Sequence, residues 1–175
     1  SKRRNMFEIE SKKPEEITIV TKQSTITFDM KEFTIDAGLE VGKIHGPGEF
    51  EIGSATIRGI AVPVKGASSD DMADGKADGI RPELSGETIY DVEVGGVHVG
   101  IIGDIDRGLD DLGMADILCT SSVRAIREIE PKLVIATGNI DGMVTDLKLT
   151  ARTEKKIKIK NADALPAAME VVALN

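Results

Sequence analysis

The sequence contains no tryptophan, one tyrosine and four phenylalanines among its 175 residues. Its core must therefore be built from Ile, Val, Leu, Ala and Met. It also lacks the aromatic platforms on which proteins stack single-stranded bases. There is one cysteine, Cys119, which excludes an internal disulfide framework. The two histidines, His45 and His98, are too few for an imidazole-rich zinc site. Positive charge is short as well: 22 Lys and Arg stand against 30 Asp and Glu, a formal charge of −8. Nonspecific nucleic-acid binding sets cations against phosphate, so no nucleic-acid partner is expected. The basic start Lys2-Arg3-Arg4 is a local exception and reads as a solvated terminus. No apolar run is long enough to span a membrane, and no segment reads as a secretory leader. A cytoplasmic protein without membrane contact is the expectation.

What is present suits a globular chain. Hydrophobic residues make up 41% of the sequence, and the length fits one domain over 1–175 with a sizeable core. A basic tail covers residues 1–6. Residues 66–86 hold almost no large apolar side chains, and a polar stretch of that length is usually functional or disordered.

Period-two alternation dominates. Ile17 and Ile19, then Ile26 and Phe28, predict two strands joined at Lys22-Gln23. Phe50 and Ile52 continue the pattern after Gly46-Pro47-Gly48, and Ile57 to Val64 predicts another strand. Tyr90, Val92 and Val94 alternate with acidic residues before Gly95-Gly96, and Val97, Val99 and Ile101 follow. Paired glycines supply the positive φ angles of a tight hairpin turn. One helix is convincing: Ser121 or Ser122 caps it, Val123, Ile126 and Ile129 share a face, and Pro131 stops it. Leu133-Val134-Ile135 then reads as a buried strand. Residues 107–112 suggest a short helical turn, and strands are expected near 146–150, 156–160 and 169–174.

From Gly46-Pro47-Gly48-Glu49-Phe50-Glu51-Ile52 onward the chain resembles the small metallo-β-lactamase-fold hydrolases, a group that includes the ascorbate-phosphate lactonase relatives. Ile57-Arg58-Gly59-Ile60 looks like their next strand. Thr88 to Ile101 resembles their hairpin, and Gly103-Asp104 their Gly-Asp motif. Ile129 to Ile135 resembles the helix-to-strand join, and Ile157 to Leu174 the last strands. The order of these matches, over roughly three quarters of the chain, carries the likeness. It implies a β-rich α/β fold: a truncated αββα sandwich of two packed mixed sheets with few helices. In the family, histidines and aspartates at one edge hold one or two metals, usually zinc, whose bound hydroxide attacks the substrate.

The metal ligands that the resemblance implies do not map onto this chain. The His-x-His-x-Asp-His loop would lie between the position of Phe28-Asp29 and the Gly-Pro-Gly turn. Only Met30 to His45 lies there, without the motif and too short for the usual strand, loop and helix. A later histidine falls near Val64, and the last at Gly138. The bridging aspartate survives as Asp104, which alone cannot hold zinc.

The remaining chemistry-bearing residues have plainer readings. His98 lies between Val97 and Val99 and so points to the opposite sheet face, as a surface histidine. His45 reads as a loop residue beside the Gly-Pro-Gly turn. Asp104, Asp106, Asp110 and Asp111 could supply oxygens to a divalent cation, but match no EF-hand spacing and read as a solvated loop. Asp70, Asp71, Asp74 and Asp78 raise the same question. Cys119 reads as a buried strand-end thiol without an adjacent base.

The favoured reading is a non-catalytic protein without cofactor, acting as a structural or protein-binding module. Loss of the metal-bearing edge is expected to uncover apolar surface or a strand edge. A second copy of the chain would cover it, giving a homo-oligomer, filamentous if the contact is head-to-tail. Two alternatives stand beside it: a metal-dependent hydrolase with a reduced site around Asp104, and a small-ligand-binding regulatory domain with residues 66–86 as a lid.

Overall fold

Apolar alternation commits most of the chain to extended strands, and the computed structural model describes them over residues 5–38, 42–65 and 83–175. The first strands are β1 (Phe7–Glu10), β2 (Glu16–Thr21), β3 (Thr25–Asp29), β4 (Thr34–Asp36), β5 (Lys43–His45), β6 (Gly48–Ile52), β7 (Ala55–Pro63), β8 (Leu84–Val94) and β9 (Val97–Gly103). Then come β10 (Ile117–Thr120), α1 (Val123–Ile129), β11 (Leu133–Ala136), α2 (Ile140–Leu147), β12 (Ala151–Glu154), β13 (Lys156–Ile159) and β14 (Glu170–Leu174). A short 3-10 turn at Leu109–Asp111 occupies the place of the helical turn expected over 107–112.

The strands form two packed sheets. One has six strands in the order β13-β1-β2-β3-β4-β5, with every neighbour antiparallel. The other has eight, β12-β14-β11-β10-β9-β8-β7-β6. Its strands run parallel from β12 to β9 and antiparallel from β9 to β6. The β-rich α/β sandwich with few helices is as the sequence led us to expect.

Period two divides each strand between two environments. Ile17, Ile19, Ile26 and Phe28 of the first sheet meet Ile57, Tyr90, Val92, Val99, Ile101 and Cys119 of the second, forming the inter-sheet core. The alternate residues of the second sheet, among them Ile60, Ile102, Leu118 and Val134, form another core with Ala125 and Ile126 of α1 and Met143 of α2. Both helices thus cover the outer face of the eight-stranded sheet.

The outer face of the six-stranded sheet is polar. One row crosses all six strands in register: Lys156, Glu10, Thr18, Thr27, Asp36, Lys43. The Thr18 and Thr27 hydroxyls are 3.0 Å apart in a hydrogen bond. Among the described residues the large exposed apolar side chains are Leu84 and Met114. This face carries hydroxyls and charged side chains of both signs.

Local chemistry fixes the turns. Gly95 and Gly96 join β8 to β9 at φ 56° and 83°, the paired left-handed residues of a tight hairpin. A Cβ on Gly95 would also overlap the Met6 sulfur. The Ser122 hydroxyl accepts from Ala125 N at 3.1 Å and starts α1, and Glu130 ends it at φ 54°. Asn139 starts α2 in the same way, its Oδ1 accepting from Gly142 N at 3.1 Å.

Three sequence expectations are corrected. α2 is a helix that the alternation reading passed over, and in place of a strand near 146–150 the helix runs to Leu147 and β12 begins at Ala151. His45 closes β5, paired opposite Thr34, so it is a strand residue rather than a loop residue. Cys119 lies within β10, not at its end. The Met30–His45 segment that is too short for a ligand loop holds β4 and β5, which widen the six-stranded sheet.

Candidate functional site

Because β9, β10, β11 and β14 run parallel, their C-terminal residues Gly103, Thr120, Ala136 and Leu174 line one rim. Loops at the carboxyl ends of parallel strands are where α/β proteins place their sites. Asp104 sits at this rim, exposed, one residue beyond β9. The Gly103 carbonyl beside it accepts from the Thr120 hydroxyl at 2.8 Å and from Ser121 N at 2.9 Å. These bonds tie the ends of β9 and β10 together.

Two neighbouring rim glycines are in side-chain contact. Met30 lies against Gly103, where a Cβ on the glycine would meet Met30 Cβ at 3.5 Å. Gly138, at φ 88°, lies against Ser121, whose Cβ would be 3.3 Å from a Cβ at 138. Asp29 spends one carboxylate oxygen on its own turn, Oδ1 accepting from Lys31 N at 2.9 Å and Glu32 N at 2.8 Å. Phe33, held at φ 56°, turns from the same loop onto the helix-side core. Asp104, Asp106, Asp110 and Asp111 do not converge: among the described residues no three His, Cys, Asp or Glu side chains come close enough to hold a metal ion. Asp70, Asp71, Asp74 and Asp78, the basic start at 2–4, and residues 66–82 of the polar loop lie outside the described residues.

Beneath the rim, β8 carries two hydroxyls into the inter-sheet core. Tyr90 is 1% exposed, its ring 5.2 Å from Phe28 at 54°. Its hydroxyl and that of Thr88, two residues earlier on the same face, are buried without a hydrogen-bond partner among the described residues. Burial first, and then the nearby Asp29 carboxylate, push the Tyr90 phenol up to about 12. Cys119 is fully buried in the same core, and desolvation raises its thiol to about 12. A thiol so held is a packing group, not a nucleophile.

The best-formed charged constellation lies elsewhere, on the outer face of the eight-stranded sheet. Asp91, 8% exposed, accepts from His98 Nδ1 at 3.1 Å and faces Arg58 Nη2 at 3.6 Å. Arg58 also donates to the Asp111 carbonyl at 2.7 Å, and His98 N donates to Asp116 Oδ2 at 2.9 Å. His98 does point away from the inter-sheet core, as its place between two valines required. It is anchored to Asp91 rather than simply solvated. The signal for this lay in the pairing of Arg58 with Asp91 across β7 and β8, a register the sequence alone does not reveal. A histidine on a carboxylate is half of a general-base arrangement, and the other half is a hydroxyl or thiol nucleophile in reach. Among the described residues no such group bonds to the His98 ring. Through the bonds of Arg58 to Asp111 and of His98 to Asp116, the cluster clamps the loop before β10 onto the sheet.

No protein-family model and no curated protein matches the chain. Among solved structures it is similar to one from Thermotoga maritima, whose proposed activity is that of a Zn-dependent hydrolase of the metallo-β-lactamase superfamily. The TM-score is 0.59 at 12% identity, over 97% of this chain and 100% of that one. At that identity the likeness speaks for the fold alone. Together with the two packed sheets, it shows that this chain has a metallo-β-lactamase-like fold.

Proposed function

We propose that this chain is a non-catalytic representative of the metallo-β-lactamase fold, acting as a self-associating structural module. The observation that carries the reading is the packing of the rim. At Gly138, where the resemblance places the last histidine, Ser121 lies in contact, and Met30 rests on Gly103 beside Asp104. The one surviving ligand position, Asp104, is exposed to solvent. Zinc chemistry requires several ligands converging on one point to hold the ion and to acidify its water. No three such side chains converge among the described residues.

Metal analysis of protein purified without chelator tests the non-catalytic half. Substoichiometric zinc and manganese are expected. A full equivalent of either, lost in Asp104→Ala, would overturn it in favour of a hydrolase with a reduced site. Light scattering across a wide range of concentration tests the other half: mass is expected to rise with concentration, and a constant monomer sinks it.

A further inference from the structure

The two sheets share their lateral sides. β12 of the eight-stranded sheet passes into β13 of the six-stranded sheet through Lys155 alone, and β5 passes into β6 through Gly46-Pro47 alone. These four strands are the outermost ones of their sheets. Each side of the sandwich therefore presents two strand edges together, with main-chain donors and acceptors that no neighbouring strand among the described residues takes up.

The sides differ in charge. The β12–β13 side carries Arg152, Lys155, Lys156 and Lys158 against one carboxylate, Glu154, with Lys160 just beyond. The β5–β6 side carries Glu49 and Glu51 against one cation, Lys43. Lys155, Lys158, Lys160, Glu49 and Glu51 are all exposed, and none forms an ion pair among the described residues. Arg152 pairs with Glu154 and Glu170, and Lys156 with Glu8, which leaves Lys155, Lys158 and Lys160 as a cationic run with no ion pair among the described residues, in a chain of net charge −8.

Charge on edge strands ordinarily prevents edge-to-edge association. Here it prevents only one kind. Two β12–β13 sides brought together would oppose lysine to lysine, and two β5–β6 sides would oppose glutamate to glutamate. A β12–β13 side against a β5–β6 side, with β13 along β6, opposes lysine to glutamate and aligns open strand edges. Such a contact joins different surfaces, so it repeats head-to-tail until it closes a ring or extends as a filament.

Resting on the self-association reading above, we propose that the occupant of each side is a second copy of this chain, its β5–β6 side docked on the β12–β13 side. Main-chain bonds between added strands supply the alignment, and the opposite charges supply orientation and rate of encounter. Since Leu84 and Met114 are the large exposed apolar residues described and lie on neither side, the contact is electrostatic and main-chain in character. It is therefore sensitive to salt, since the screening length falls from ~10 Å at ~0.1 M to ~3 Å at ~1 M.

Sedimentation of the full chain at about 0.05 M and about 1 M NaCl is the test, with two charge-reversed variants alongside. One is Lys155→Glu with Lys160→Glu; the other is Glu49→Lys with Glu51→Lys. All four positions are exposed, and circular dichroism verifies folding. The wild type is expected to associate at low salt and dissociate at high salt. Each variant alone is expected to associate at least about tenfold more weakly, a loss of ~1.4 kcal/mol. The equimolar mixture is expected to recover association, because each altered side then meets its complement. If folded variants associate as the wild type does, or if the mixture recovers nothing, this docking mode is overturned while self-association stands. If the wild type is monomeric at every concentration and salt, both fall.

Discussion

Replacing Tyr90 by Phe is expected to stabilise the protein. The tyrosine buries a hydroxyl that donates to nothing and accepts from nothing among the described residues. Leaving such a group unsatisfied costs ~1–3 kcal/mol of desolvation. Tyr90→Phe removes that cost and keeps the ring, its contact with Phe28 and its place in the inter-sheet core. A gain of about 1 kcal/mol follows, which for a chain of this size raises Tm by ~2–4 °C. Alkaline pH gives a second readout. The phenol sits near 12 in the folded protein and at 10.0 in its ordinary state. A raised pKa means that the folded state keeps its proton after the unfolded chain has begun to lose it. The wild type must therefore lose stability as pH rises from about 10 towards 12. The Phe variant lacks this contribution, so its advantage widens across that window. Comparing the two proteins cancels the similar alkaline loss contributed by Cys119. Urea unfolding at neutral and alkaline pH measures both effects, and Thr88→Val should gain stability for the same reason. A Phe variant destabilised by ~1 kcal/mol or more would refute the reasoning, since it would mean the hydroxyl is hydrogen-bonded.

Cys119 is expected to be silent to a disulfide reagent at mildly alkaline pH in the native protein and to titrate fully in guanidinium, because burial holds its thiol near 12. Gly100→Ala should cost about 1–3 kcal/mol in urea unfolding, since the new methyl would stand 2.9 Å from Leu118 Cδ1 and 3.1 Å from Leu112 Cδ2. Asn139→Ala should cost about 1 kcal/mol through loss of the α2 cap, with helical ellipticity falling before global unfolding.

Strands were legible because period two leaves a direct trace. The β8–β9 hairpin is spelled out by alternate valines about Gly95-Gly96, and the buried run Leu133–Ile135 could be little else. α2 was missed although Ile140, Met143, Val144 and Leu147 have the i, i+3, i+4, i+7 spacing of a helix face. Gly142 and two aspartates lower its intrinsic propensity, and packing against α1 and β11 overrides that deficit. β4 and β5 are three residues each, too short to show a period. At the rim, sequence located Asp104 and Gly138 but not their neighbours Met30 and Ser121, because packing contacts between distant segments carry no motif. The Arg58–Asp91–His98 cluster depends on strand register, and register is a property of the sheet rather than of any one segment.

The linkers at the two sides have a consequence for folding. The six-stranded sheet draws β1 to β5 from the first part of the chain and its outermost strand, β13, from near the end. That strand follows β12 of the opposite sheet after a single residue, so the placing of one constrains the other. Neither sheet is thus an independent folding unit. Such long-range pairing predicts slow folding and a single cooperative unfolding transition, in which both sheets are lost together.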